Sequence, residues 1–83
     1  MTSNQEQPIK VVRSYTTGII KIMENTQFNY LEAERVEVLP GIKTRIFGTV
    51  RDLVVHQDCK VFVHGRITGT ITNNGGRLYV YNP

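Results

Sequence analysis

Four side chains in one short stretch of this sequence have the chemistry to bind a metal ion or to act as nucleophile and base: His56, Asp58, Cys59 and His64. Zinc sites and catalytic pairs use these residue types. Their spacing matches no zinc motif, however, and small thiols are common in protein cores. We therefore expect Cys59 to point inward and His64 to pack or stack, and we predict no metal, no cofactor and no catalytic residue.

Three carboxylates, Glu32, Glu34 and Glu37, form the main acidic cluster. Paired carboxylates can hydrolyse glycosidic bonds, but a chain of 83 residues leaves little room for a substrate cleft. The favoured interpretation is a solvated cluster in a protein that is not an enzyme and has no evident small-molecule substrate. An acidic cluster ahead of a basic segment would also favour head-to-tail contact between copies.

Basic and aromatic side chains recur at intervals of 17 residues. If the strands stack, the members of each row lie about 4.8 Å apart. Interleaved cations and rings can hold phosphates and stack on bases, so nucleic acid is a candidate partner. The favoured interpretation is that these side chains guard strand edges and support cross-strand pairs, because a net charge of +3 is modest. The rows are Lys43, Lys60 and Arg77; Phe47, His64 and Tyr81; and Phe62 and Tyr79 above Arg45.

An internal repeat produces these rows. Residues 45–60 (RIFGTVRDLVVHQDCK) align with residues 62–77 (FVHGRITGTITNNGGR) at an offset of 17, which matches Gly48 with Gly65 and Val54 with Ile71. Apolar and polar residues alternate within each copy, as in a strand with one buried face, and the phase changes near Asp52. The recurrence favours parallel stacked coils. The alternative is a set of strands linked by hairpins, as in a meander or a small barrel.

We therefore predict one all-β domain over residues 1–83. A short β-solenoid of about 2.5–3 coils occupies residues 41–83, and N-terminal strands or a hairpin form a cap over residues 8–40. Residues 1–7 are expected to be a flexible tail, residues 9–12 and 19–23 to be strands, and residues 24–26 to turn. The segment LEAERV (residues 31–36) is long enough for a short helix, but we favour extended structure.

Composition narrows the function classes. Apolar residues at 40% and charged residues at 20% are ordinary for a soluble domain. No apolar run approaches the roughly 18 residues that a membrane-spanning helix needs, and the polar N-terminus does not resemble a signal peptide. The single cysteine is compatible with a reducing compartment. We expect a cytoplasmic protein with no membrane span.

The last strand of the repeat is expected to drive assembly. The sequence stops at Pro83, partway through a copy, so the final coil leaves an unpaired sheet edge. We therefore predict a homo-oligomer that associates through Leu78, Tyr79, Val80 and Tyr81.

Residues 61–81 (VFVHGRITGTITNNGGRLYVY), preceded by residues 45–55 (RIFGTVRDLVV), resemble bactofilins, the polymer-forming bacterial cytoskeletal proteins, and other small bacterial β-solenoid proteins of unknown role. The likeness rests on Gly48, Gly65 and Gly69 with apolar residues two positions away. It implies a right-handed β-helix that polymerises end to end without nucleotide. This chain has few coils, and its N-terminal third resembles no known family, so a closed dimer or small ring is expected instead of a filament.

The function that these patterns favour is a non-enzymatic structural or protein-interaction module that self-associates through its solenoid. The alternative is an accessory nucleic-acid-binding module whose anion-binding face comprises Lys43, Lys60, Arg77, Phe47, His64 and Phe62.

Overall fold

The computed structural model describes residues 9–81, and its regular secondary structure consists of β-strands. Within these residues no helix is long and apolar enough to cross a membrane. The predicted flexible tail, residues 1–7, lies outside the described residues. The strands are β1 (Lys10–Ile22), β2 (Thr26–Val38), β3 (Lys43–Val55), β4 (Lys60–Ile67), β5 (Ile71–Asn73) and β6 (Arg77–Tyr81).

All strand pairs are parallel, in the order β1-β2-β3-β4-β6, with β5 beside β3. Parallel pairing of consecutive strands requires the chain to travel once around a coil between them. The result is an all-β solenoid of about four turns with a spacing of about 17 residues. The predicted fold class is thereby confirmed.

The N-terminal segment differs from the predicted hairpin cap. A hairpin would pair β1 and β2 antiparallel, whereas they are parallel, with Tyr15 beside Tyr30 and Ile22 beside Val38. Both strands have 13 residues, as β3 does, so they are further coils of the same solenoid. The two predicted strands within residues 9–23 are parts of β1, and residues 31–36 are extended in β2, as favoured above.

The core consists of inward side chains stacked in columns from coil to coil. Val36 lies beside Leu53, and both are fully buried. Thr26 and Thr44 are the buried polar members of one column. The Thr44 hydroxyl donates a 2.6 Å hydrogen bond to the Thr26 carbonyl, which offsets the cost of burying that hydroxyl. Burial of each valine or leucine contributes about 1.5–3 kcal/mol.

A corner interrupts the alternation in β3, as predicted. Arg51 and Asp52 both lie outside the core between buried Val50 and Leu53. Asp52 Oδ1 accepts hydrogen bonds of 3.1 Å from both the backbone amide and the hydroxyl of Thr70 in the next coil. These bonds favour the ionised carboxylate and lower the pKa of Asp52.

The same corner corrects the repeat alignment. Ile71 lies beside Leu53, and not beside Val54 as a constant offset of 17 predicts. The coil formed by β4 and β5 has one more residue at this corner than β3 has. There the Gly69 amide donates a hydrogen bond of 2.8 Å to the Arg51 carbonyl. The turn before β6 restores the offset, since Arg77 lies beside Lys60.

Two glycines in the column of buried Leu31 allow the coils to approach closely. Gly48 and Gly65 have φ angles of +146° and +152° and lie beside each other on β3 and β4. A Cβ on Gly65 would lie 1.8 Å from the Gly48 carbonyl oxygen, and one on Gly48 would lie 1.9 Å from that of Leu31. No side chain fits at either position, which explains why glycine recurs there in the repeat.

Candidate functional site

The outer face of β3, β4 and β6 carries the rows that the repeat predicts. Phe47 stacks on His64 with ring centroids 4.6 Å apart, and His64 stacks on Tyr81 at 4.8 Å. Phe62 stacks on Tyr79 at 5.1 Å, and the Arg45 guanidinium lies 5.7 Å from the Phe62 ring centroid. The rings are within 14° of parallel, so they cover each other's faces and leave mainly their edges to solvent.

The stacked row of Phe47, His64 and Tyr81, called the ring row below, extends further than the sequence predicts. Tyr15 lies beside Tyr30 in the β1–β2 pair, and both line one groove with Phe47. Tyr15 and Tyr30 are 15 residues apart in the register, and a bulge between Phe28 and Leu31 shifts Tyr30 relative to β3. A search for a constant period of 17 residues misses both tyrosines. Their aromatic side chains were the one sequence feature that could have linked them to the row of Phe47, His64 and Tyr81. Aromatic side chains therefore occur at this position in every coil.

The basic row lies beside the rings. The register aligns Lys43, Lys60 and Arg77, as predicted. Within residues 9–81, ion pairs join Lys10 to Glu24 and Arg51 to Asp52, His56 is hydrogen-bonded to Glu37, and none of these contacts involves this row. Like charges on adjacent strands destabilise a sheet. This face is accordingly a region of positive potential, to which further cations contribute: Arg45 and Arg66.

A groove opens between β2 and β3, where the β2 bulge between Phe28 and Leu31 lies beside Phe47. Its volume is about 350 Å³. The side chains of Tyr15, Tyr30, Phe47 and Glu32 line it, and its walls are mostly apolar. The Tyr15 hydroxyl donates a short hydrogen bond to Glu32 Oε1, which raises the pKa of Tyr15.

The end of the solenoid formed by β5 and β6 leaves the core open. Val80 continues the inward column of Ile46 and Val63, which are both fully buried, yet 40% of its surface is exposed. Ile71 continues the column of fully buried Leu53 and is 49% exposed. Among residues 9–81, no strand pairs with the outer edge of β5 or β6. At the opposite end β1 is also an edge strand; its Ile22 is 3% exposed, and Val12 and Ile20 are half-buried.

The acidic cluster does not form the starting edge of the solenoid, contrary to the head-to-tail expectation. Glu32, Glu34 and Glu37 lie on β2, one coil inside, and the edge strand β1 carries Lys10, Arg13 and Lys21. Both ends of the solenoid are therefore basic, because Arg77 lies on β6. Head-to-tail contact gains nothing from charge. The sequence repeat does not reveal the coil that contains β1, and this coil lies between the acidic cluster and the edge of the solenoid.

Glu37 has a specific partner within the outer surface. Its Oε2 atom lies 2.8 Å from His56 Nε2 on the next coil. This hydrogen bond is the main cause of the lowered pKa of Glu37, with nearby Lys21 contributing a smaller coulombic effect. Glu37 thus belongs to a hydrogen-bonded pair with His56 across two coils and not to a carboxylate pair.

The four side chains considered first for metal or nucleophile chemistry are separated. His56 pairs with Glu37, Asp58 lies in the turn after β3 with φ +64°, and His64 is in the ring row. Cys59 points inward, as predicted, and its thiol donates to the Leu39 carbonyl at 2.8 Å. No three His, Cys, Asp or Glu side chains between residues 9 and 81 are grouped closely enough to hold a metal ion.

No protein-family model, curated protein or solved structure matches this chain. The parallel strand pairing of residues 9–81 by itself establishes the β-solenoid.

Proposed function

We propose that this protein is a non-enzymatic structural module that self-associates through the open end of its solenoid. The observation that carries the proposal is the exposure of Val80 and Ile71, whose column neighbours Val63 and Leu53 are fully buried. Covering such side chains favours association by about 25 cal/mol for each Å² removed from water. The adjacent unpaired strand edges offer backbone hydrogen bonds to a second copy.

A closed dimer suits this end better than a filament. A two-fold axis through Tyr79 would pair the β6 strands of two copies antiparallel and would place Arg77 opposite Tyr81 of the other copy. The like charges are then separated, and each guanidinium meets a ring. Bactofilins, which the chain resembles, likewise associate through solenoid ends. The buried free thiol of Cys59 agrees with a reducing, cytoplasmic environment.

Light scattering coupled to size exclusion tests this proposal with a matched pair of variants. Val80 and Val11 are equally exposed valines, at 40% and 42%, on opposite end strands. Val80→Lys should yield monomers because it places a charge in the covered core column. Val11→Lys should leave the dimer intact. Ile71→Lys, on β5, provides a second test of the open end.

Circular dichroism confirms that each variant is folded before its mass is interpreted. A wild-type chain that is monomeric at about 100 µM would contradict the proposal, as would equal dissociation by Val80→Lys and Val11→Lys.

Binding of single-stranded nucleic acid is the second candidate function. Its support is the row Lys43, Lys60 and Arg77, which has no ion-pair partner within residues 9–81. Because the rings stack on one another, we assign affinity mainly to the cations, with base stacking confined to the outermost rings, Tyr79 and Tyr81.

Anisotropy of a labelled oligonucleotide tests this second function. Lys60→Glu with Arg77→Glu should abolish salt-sensitive binding. Arg13→Glu with Lys21→Glu makes the same change in net charge on β1 and should weaken binding much less. Equal loss from both double variants would indicate a nonspecific charge effect and would contradict a defined face.

A further inference from the structure

We propose that the groove between Tyr30 and Phe47 binds a quaternary ammonium group. The site goes beyond self-association and lies on a different part of the surface, since β1, β2 and β3 form it.

The groove is a gap in an otherwise closed row of rings. Phe47, His64 and Tyr81 stack with centroid separations of 4.6 and 4.8 Å, which leaves no space between them. On the other side of Phe47 the β2 bulge changes the register, and a space of about 350 Å³ opens beside Tyr30. Three aromatic side chains therefore line the space: Tyr15, Tyr30 and Phe47.

A single carboxylate sets the charge of the groove. Glu32 lines it and has no ion-pair partner within residues 9–81. The Tyr15 hydroxyl donates to its Oε1 atom, which orients the carboxylate. The bond raises the pKa of Tyr15 further above its ordinary value, which already keeps the phenol protonated and able to donate at neutral pH. The groove therefore favours a cation, although the neighbouring face of β3, β4 and β6 is basic.

The apolar lining selects among cations. The groove is open, since Tyr15 and Tyr30 are 64% and 63% exposed, and a primary ammonium group would lose hydrogen bonds to water only on the side that contacts the rings. A quaternary ammonium has no N–H to desolvate, and it gains attraction from the ring faces and from Glu32. Such a group fits easily within about 350 Å³.

An NMR titration with choline tests the site, using 3,3-dimethylbutan-1-ol as the uncharged ligand of the same shape. Choline should shift the amide signals of residues 29–32 and 47–49 saturably, at constant ionic strength. The neutral alcohol should bind about tenfold more weakly, since it lacks the cation–ring and carboxylate attraction.

Two variants on the same strand provide the matched comparison. Glu32→Gln should weaken choline binding about fivefold, whereas Glu34→Gln, which removes a carboxylate that does not line the groove, should leave it unchanged. Equal affinity for choline and the alcohol would overturn the proposal by showing an apolar pocket. Absence of saturable shifts up to about 50 mM choline would overturn it as well.

Discussion

Val80 lies beside Val63 in the same inward column, yet Val63 is completely buried and Val80 is 40% exposed. The same residue type at equivalent positions in successive coils therefore has two different environments, and the difference is the presence of a covering coil. We expect Val63→Ala to destabilise the protein by about 1.5–3 kcal/mol. Val80→Ala should cost less than half of that in dilute solution, where monomers dominate. Urea denaturation at two protein concentrations measures the loss of stability in each variant. If Val80→Ala costs as much as Val63→Ala in dilute solution, the covering coil does not explain the difference in burial.

Gly65 should tolerate no side chain. An added Cβ would lie 1.8 Å from the Gly48 carbonyl oxygen, and the coils must separate to relieve the overlap. We expect Gly65→Ala to lower the free energy of unfolding by about 3 kcal/mol or more. Gly41→Ala is the control because that position also has a positive φ, +80°, but open space around it; its cost should be about 1 kcal/mol. Similar costs for the two variants would show that φ alone requires glycine.

The ring row should stabilise the outer face through stacking. His64 lies between Phe47 and Tyr81, so His64→Ala removes two ring contacts and should cost about 1–3 kcal/mol. His64→Phe retains both contacts and should be neutral or stabilising. Thermal unfolding of the two variants distinguishes stacking from any need for an imidazole: if phenylalanine is as harmful as alanine, the ring contacts contribute little.

The Glu37–His56 pair should make stability depend on pH in the acidic range. The pKa of Glu37 is lowered in the folded protein by the His56 hydrogen bond. Its contribution is therefore fully present above the unfolded pKa of about 4.3 and is lost as pH falls through the lower folded value. Glu37→Gln should reduce the slope of unfolding free energy against pH below about pH 5. Equal slopes in the wild-type protein and in Glu37→Gln would contradict a role for the pair.

The C-terminal half of the fold could be predicted in detail because the offset between β3, β4 and the start of β6 is constant. Once that offset is known, residue numbers alone identify the neighbours of Lys60, Phe62 and His64. Stacked coils place equivalent residues beside each other whatever their side chains are. The inward position of Cys59 follows from the same alternation.

The N-terminal coils could not be predicted in this way because bulges alter their register. Tyr15 pairs with Tyr30, whereas Phe28 pairs with Ile46, so the offset changes within two coils. A bulge adds a residue locally and preserves the coil around it, which conceals the repeat from any search at a fixed period. The groove beside Tyr30 exists because of such a bulge, and it was missed for that reason.

The amino-acid sequence by itself determined which residues face inward and which rows they join over β3, β4 and β6, because strand alternation and the repeat length are local properties. Only the tertiary structure decided how far each inward column is covered. Burial depends on the next coil, and nothing in the alternation of Val61, Val63 and Val80 distinguishes a covered valine from an exposed one. The tertiary structure also decided the charge of each end. The coil that contains β1 places Lys10, Arg13 and Lys21 at the edge where the acidic cluster was expected.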